Sequence, residues 1–245
     1  MNQNPTLKVL SSMKRHGVRC LLMGGQACVF YGAAEFSRDV DFVLLAEPDN
    51  LKRLQSALDE LEAEIIAIPP FDESFLNSGL AVHFRCNASG VEGLRIDIMT
   101  VMRGVAPFPM LWERRTTFAI DETEVDLLSL PDLVKAKKTQ RSKDWPMLQR
   151  LIEAHWFQHR FAPTPERIDF WLQECRTPDI LMELAKLFPA QTANIQSTRP
   201  LLGAALQNDL AAIEEGLEQE RHAEVLADRA YWEPLREQLN HIRHK

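Results

Sequence analysis

Two aspartates, Asp39 and Asp41, flank a single valine inside the apolar run "DVDFVLL". That run reads as a strand by its β-branched and aromatic content, and in a strand residues two apart project to one face. The two carboxylates therefore point the same way, while Val40 and Phe42 point the other. Like charges held this close repel, and burying them without a counter-charge is costly. A divalent cation resolves the conflict, and Mg2+ favours one or two carboxylates together with substrate phosphates and water. A third acid fits the same scheme. In "LRIDIM", Leu94, Ile96 and Ile98 alternate with Arg95, Asp97 and Met99, so Asp97 and Arg95 share the polar face. If that strand lies beside the first, three carboxylates converge, a set able to hold two metal ions for an in-line phosphoryl displacement.

Gly24-Gly25 closes the apolar run "RCLLMGG" and precedes the small, apolar stretch "QACVFYGAA". A strand–Gly-Gly–helix junction lets the backbone approach a phosphate and offers it amides at the helix start; a plain turn is the other reading of such a pair. The run "KAKKTQRSK", residues 135 to 143, concentrates positive charge. It reads either as a solvated helix face or as cations completing the charge around a triphosphate. His155 and His159 have i, i+4 spacing, but no HExxH glutamate and no third ligand accompany them. Trp145, Trp156, Phe157, Phe170 and Trp171 fall at helical spacing among Leu and Ile, which predicts a bundle core rather than a base-stacking platform.

The elements that must position these residues follow from pattern. Residues 6 to 16 predict a first helix through Leu7, Leu10 and Met13, and Pro48-Asp49 opens another that runs to about Glu62. "AEIIAI", stopped by Pro69-Pro70, predicts a strand, as do "LAVHFRCNA" and "LRIDIMTV", joined by a turn around Gly90 and Gly93. Helices and strands interleave to about residue 120, an α/β pattern. Beyond it, Ser129 and Asp132 have capping-box-like spacing, and two Thr-Pro pairs mark helix starts at "TPERIDFWLQEC" and "TPDILMELAKLF". The expected organisation is an α/β domain over 1–125, a mixed sheet with flanking helices, followed by an all-helical domain over 126–245.

With 245 residues, 45% hydrophobic and 26% charged, the chain has the composition of a globular protein. A net charge of −7 argues against a general nucleic-acid coat. The four cysteines form no CxxC and read as reduced, buried side chains. Without a signal-peptide layout, or an apolar run near the ~18 residues of a membrane span, a cytoplasmic location is expected.

The order of Gly-Gly at a helix start, an Asp-x-Asp strand and a single Asp on a later strand resembles the nucleotidyltransferase superfamily with the polymerase-β-like core. Its AbiEii-like branch, with similar uncharacterised bacterial nucleotidyltransferases, looks closest. The resemblance spans roughly residues 18 to 150 and includes "LLSLPDLVKAKKTQRSKDWPML", similar to that branch's helical Lys followed by an Arg and a Lys-Asp pair. It implies Mg2+-dependent transfer (with Mn2+ as a substitute) of a nucleoside monophosphate from an NTP to an acceptor. Gly24, Gly25 and Ser37 would meet the triphosphate. Asp39, Asp41 and Asp97 would be the metal ligands and catalytic acids, with Asp97 as base. Lys137, with Arg141 or Lys143, would reach the phosphates. The implied acceptors are a small molecule such as an aminoglycoside, an RNA such as tRNA, or a protein side chain. A toxin paired with an antitoxin protein is implied by analogy. The chain departs from the family at Gly24-Gly25, followed by Gln26, where Gly-Ser is common, and at Glu35, where Arg is frequent. A catalytically inactive nucleotide- or partner-binding module is the alternative.

Overall fold

The first helix, α1 (Pro5–Arg15), starts where the Asn4 side chain accepts the Thr6 amide at 2.9 Å and Pro5 presets the first turn. The computed structural model describes residues 4–120 and 123–244. After α1 come β1 (Cys20–Met23), α2 (Gly24–Phe30), β2 (Asp39–Leu44), α3 (Pro48–Glu60), β3 (Glu64–Ile65), α4 (Glu73–Asn77), β4 (Val82–Arg85) and β5 (Arg95–Met99). Then follow α5 (Phe108–Glu113), β6 (Thr116–Ile120), β7 (Thr123–Leu127) and α6 (Leu130–Ala136). The described strands form one seven-stranded sheet in the order β3-β4-β5-β2-β1-β7-β6. It is mixed: β2 pairs parallel with β5 and β1 parallel with β7, and the other neighbours are antiparallel.

Alternation along β2, β4 and β5 decides which face is core. Val40, Phe42, Val82, Phe84, Ile96 and Ile98 are all buried on one side. Each contributes about 1.5–3 kcal/mol by leaving water. A slip of one residue would turn this set outward and the acids inward, so the register is strongly specified.

The remaining helices are α7 (Asp144–His159), α8 (Pro165–Glu174), α9 (Pro178–Leu187), α10 (Pro189–Ile195), α11 (Leu201–Gln207) and α12 (Leu210–Arg243). The architecture is thus the expected one, a mixed α/β sheet with flanking helices followed by a helical C-terminal region. Two compact units divide the chain: Met1–Ala136 with Tyr231–Lys245, and Lys137–Ala230. The expected boundary after residue 125 falls inside the first unit. There α6 is tied back by Arg114, whose Nε and Nη2 donate to the buried Asp132 at 2.6 and 2.7 Å. Ser129 Oγ also donates to Asp132 at 2.6 Å, while the Asp132 amide donates to that hydroxyl at 3.3 Å, so the capping pair forms.

Other expectations change. "AEIIAI" yields only the two exposed residues of β3 at the sheet edge. The β6–β7 ladder was not anticipated, because polar residues interrupt its apolar pattern; residues 121 and 122 between the strands lie outside the described chain. The basic run is not a helix face either, since α6 ends at Ala136 and α7 begins at Asp144. In the second unit Trp156 and Trp171 are buried, as a bundle core requires, but Phe157 is 56% exposed. His155 Nδ1 accepts from Trp171 Nε1 at 2.8 Å. Burial, with smaller effects from His159 and Arg167, lowers the pKa of His155 to about 4, so it remains neutral. Cys20, Cys28, Cys86 and Cys175 are buried and not joined in disulfides. Among the described residues, no helix is long and apolar enough to cross a membrane.

Candidate active site

The parallel β2–β5 ladder places Asp41 opposite Asp97 and Asp39 opposite Arg95. Neighbouring strands lie about 4.8 Å apart, and partners in register share a face. The two acids of β2 and the single acid of β5 therefore meet on the polar side of the sheet. On the far side of β5, antiparallel β4 sets His83 opposite Asp97; on the far side of β2, β1 sets Met23 opposite Asp41.

Asp97 is held by protein groups. Its Oδ1 accepts from Arg95 Nε at 2.7 Å and lies 2.8 Å from His83 Nδ1, and its Oδ2 accepts from Arg95 Nη2 at 2.9 Å. Burial disfavours the charged carboxylate, yet the hydrogen bonds and charges of His83 and Arg95 outweigh it. The Asp97 pKa accordingly lies below the ordinary carboxylate value. The hydrogen bond to Asp97 raises the pKa of Arg95 against the opposing effect of burial, and the charges of Asp39 and Asp41 add to the rise.

The glycines fit against these acids. Gly24 has φ +68°, and a Cβ there would lie 1.9 Å from Asp41 Oδ2. The left-handed backbone and the close carboxylate both call for glycine. At Gly25 a Cβ would lie 2.6 Å from Ser37 Oγ, and Ser37 Oγ donates to the Asp39 carbonyl at 3.1 Å. Gly24, Gly25, Ser37, Asp39, Asp41 and Asp97 are thus brought together in the first unit.

Lys137, Arg141 and Lys143 belong to the second unit, where a different carboxylate gathers two of them. Lys137 is buried and its Nζ is 3.3 Å from Asp144 Oδ1, while Arg141 Nε and Thr139 Oγ1 donate to Asp144 Oδ2 at 2.8 and 2.6 Å. Burial opposes ionisation of Asp144, but Lys137, Thr139 and Arg141 together keep its pKa below the ordinary carboxylate value. Lys137 is therefore an interior ion-pair partner rather than an extended arm. Lys143 is exposed, immediately before α7.

Hard carboxylate oxygens from Asp39 and Asp41 on one strand suit a Mg2+ ion. Gly24 leaves the Asp41 carboxylate the space that a Cβ would fill. Asp97 fits less readily, because Arg95 and His83 already take its oxygens. Among the described residues, no group of three His, Cys, Asp or Glu side chains is disposed to hold a metal ion. Sequence reasoning noted Arg95 on the polar face but missed His83. The alternation of Val82 and Phe84 around it was the available signal.

No family model matches the chain, and no curated protein does. Among solved structures, it is similar to an antigenic nucleotidyltransferase-like protein from Paracoccidioides brasiliensis. The identity is 18% and the TM-score 0.40, over 83% of this chain and 91% of that one. At that level of likeness the site is judged by its own residues.

Proposed function

We propose that the protein is a Mg2+-dependent nucleotidyltransferase that moves a nucleoside monophosphate from an NTP to an acceptor. The observation that carries this reading is the register that sets Asp41 opposite Asp97, with Asp39 on the same face, beside a glycine that Asp41 leaves no room to replace. In the reaction the acceptor oxygen attacks the α-phosphorus, pyrophosphate leaves and the acceptor's proton passes to a base. Bound Mg2+, or Mn2+ in its place, would neutralise phosphate charge. Asp39 and Asp41 would hold the ion, and the Gly24–Gly25 backbone with the Ser37 hydroxyl would line the approach of the phosphates. Asp97, ionised at neutral pH, would take the proton on leaving its contacts with Arg95 and His83. A two-metal form of this chemistry would also need an Asp97 oxygen as ligand.

One observation favours a second reading, an inactive nucleotide- or partner-binding module. Both Asp97 oxygens are already engaged by Arg95 and His83. Product formation separates the two. The purified chain is incubated with Mg2+ and each α-labelled NTP, alone and with bulk tRNA, aminoglycosides or cell extract, beside an Asp39→Asn/Asp41→Asn double variant. Label on an acceptor with wild type alone establishes the reaction and identifies the acceptor class, RNA, small molecule or protein. A protein acceptor, or growth arrest on expression relieved by a neighbouring gene product, would support the toxin role. No label anywhere, with nucleotide binding equal in both proteins, refutes the enzyme.

A further inference from the structure

A buried guanidinium in the second unit is left short of acceptors. Its neighbour Arg199 is well supplied: Nε and Nη2 donate to Glu220 Oε1 and Oε2, each at 2.9 Å, while Nη1 and Nη2 donate to the Leu172 and Cys175 carbonyls at 2.7 and 2.8 Å. Arg176, in the turn between α8 and α9, is not. Its side chain is only 9% exposed, yet its Nε and Nη1 have no hydrogen-bond partner. Glu220 Oε2 lies 2.9 Å from Nη1 without the alignment of a hydrogen bond, and that oxygen already accepts from Arg199. The Trp145 ring centroid, 5.3 Å from Arg176 Cζ, attracts the cation but offers no acceptor oxygen.

Burial first, and then the charge of Arg199, press the Arg176 pKa below the ordinary guanidinium value despite Glu220, Glu174 and Glu224. An arginine keeps its proton in a protein, so the deficit is one of acceptors. Arg176 lines a cavity of about 660 Å3 together with Lys138, Arg199, Glu220 and Glu224, all within the second unit. Lys138 Nζ is 2.7 Å from Glu174 Oε2 and 3.7 Å from Glu224 Oε1.

We propose that this cavity binds a small hydroxy-carboxylate, with its carboxylate on Arg176 and its hydroxyl groups on Glu220 and Glu224. A carboxylate supplies the oxygens that the buried guanidinium lacks, in a charge-assisted hydrogen bond. The two glutamates of the lining only accept, so they suit hydroxyl donors and repel further negative charge. The site therefore selects a single carboxylate over a polyphosphate. The inference is independent of the nucleotidyltransferase reading.

The test watches the guanidinium itself. The full-length, isotope-labelled chain is titrated with glycolate, a minimal hydroxy-carboxylate, in exchange for chloride at constant ionic strength. The assigned Arg176 Nε–H signal is followed by NMR. A saturable shift with a dissociation constant on the order of 1 mM is expected. Acetate, which lacks the hydroxyl, should bind about fivefold more weakly, and tripolyphosphate or ethylene glycol should leave the signal in place. Arg176→Met, its fold checked by circular dichroism, should abolish glycolate binding in calorimetry and unfold in urea no earlier than wild type, because no aligned hydrogen bond is lost. A signal unmoved by glycolate, or moved more by tripolyphosphate, overturns the proposal. So does acetate binding as tightly as glycolate. If Arg176→Met does not fold, the wild-type titration decides alone, since the signal reports the proposed ligand's own partner.

Discussion

Replacing Gly24 by alanine should cost more than its backbone angle alone explains, and Gly17 supplies the control. Both glycines lie in the first unit with nearly equal left-handed φ, +68° and +66°. An alanine held there costs about 1–2 kcal/mol. At Gly17 nothing lies within 4 Å of an added Cβ, so Gly17→Ala should cost only that. At Gly24 the new Cβ would meet Asp41 Oδ2 at 1.9 Å, Cγ at 2.4 Å and Cβ at 2.7 Å. Rotating the carboxylate relieves the first two contacts and not the third, because the Asp41 Cβ is fixed to the β2 backbone. Overpacking of this kind adds about 1–3 kcal/mol, for a total of about 2–5 kcal/mol at Gly24. Urea unfolding of both variants at matched slope reads the difference. Mg-NTP binding, measured beside it, should fall for Gly24→Ala and hold for Gly17→Ala. Two variants within about 0.5 kcal/mol of each other, with equal nucleotide binding, would refute the packing of Gly24 on Asp41.

Three further perturbations test other parts of the structure. With its folded pKa depressed below the ordinary 3.8, Asp97 contributes stability above that pH and loses it as pH falls through the folded value; the gap between wild type and Asp97→Asn should therefore narrow below about pH 4 in acid unfolding, and a gap constant from pH 7 to 3 contradicts it. His155, depressed to about 4, should keep a neutral ring through pH 5.5 in an NMR titration, and the stability tied to it should fall as pH drops from about 6.5 toward 4; a ring titrating above pH 6 would remove the burial argument. Lys137→Met leaves Asp144 buried with only Thr139 and Arg141, and should destabilise the second unit by about 2–4 kcal/mol in thermal or urea unfolding. Unchanged stability with weakened nucleotide binding would instead make Lys137 the phosphate arm that the sequence suggested.

The spacing of Asp39, Asp41 and Asp97 made the shared faces legible, because a strand's period of two follows from backbone geometry alone. That β5 lies beside β2 was only a condition in the sequence reading, and the register of Asp41 with Asp97 came from the structure. It depends on a parallel pairing across intervening elements that no local pattern encodes. The same gap hid His83, which looked like one polar residue in an alternating strand until β4 paired with β5. The basic run misled for another reason. Composition at residues 135 to 143 is compatible with a helix, but α6 ends at Ala136 and Lys137 turns inward to Asp144, a partner that no local pattern announces. The edge strand β3 was overestimated because β-branched content marks propensity, while strand length depends on how many partners the edge finds.

The last helix also bears on the order in which the protein is made. The first unit is not contiguous: its sheet and early helices end at Ala136, and its remaining residues are Tyr231–Lys245, after the whole second unit. Within the first unit, a Cβ at Gly79 would meet Tyr231 Oη at 3.0 Å and Leu235 Cδ1 at 3.7 Å, and Leu235 is buried. A ribosome therefore releases the acid-bearing sheet long before the segment that covers Gly79. Until residues 231–243 emerge, that patch is open to proteases and chaperones, and a cut or premature stop near residue 230 would leave Gly79 without Tyr231 and Leu235 beside it.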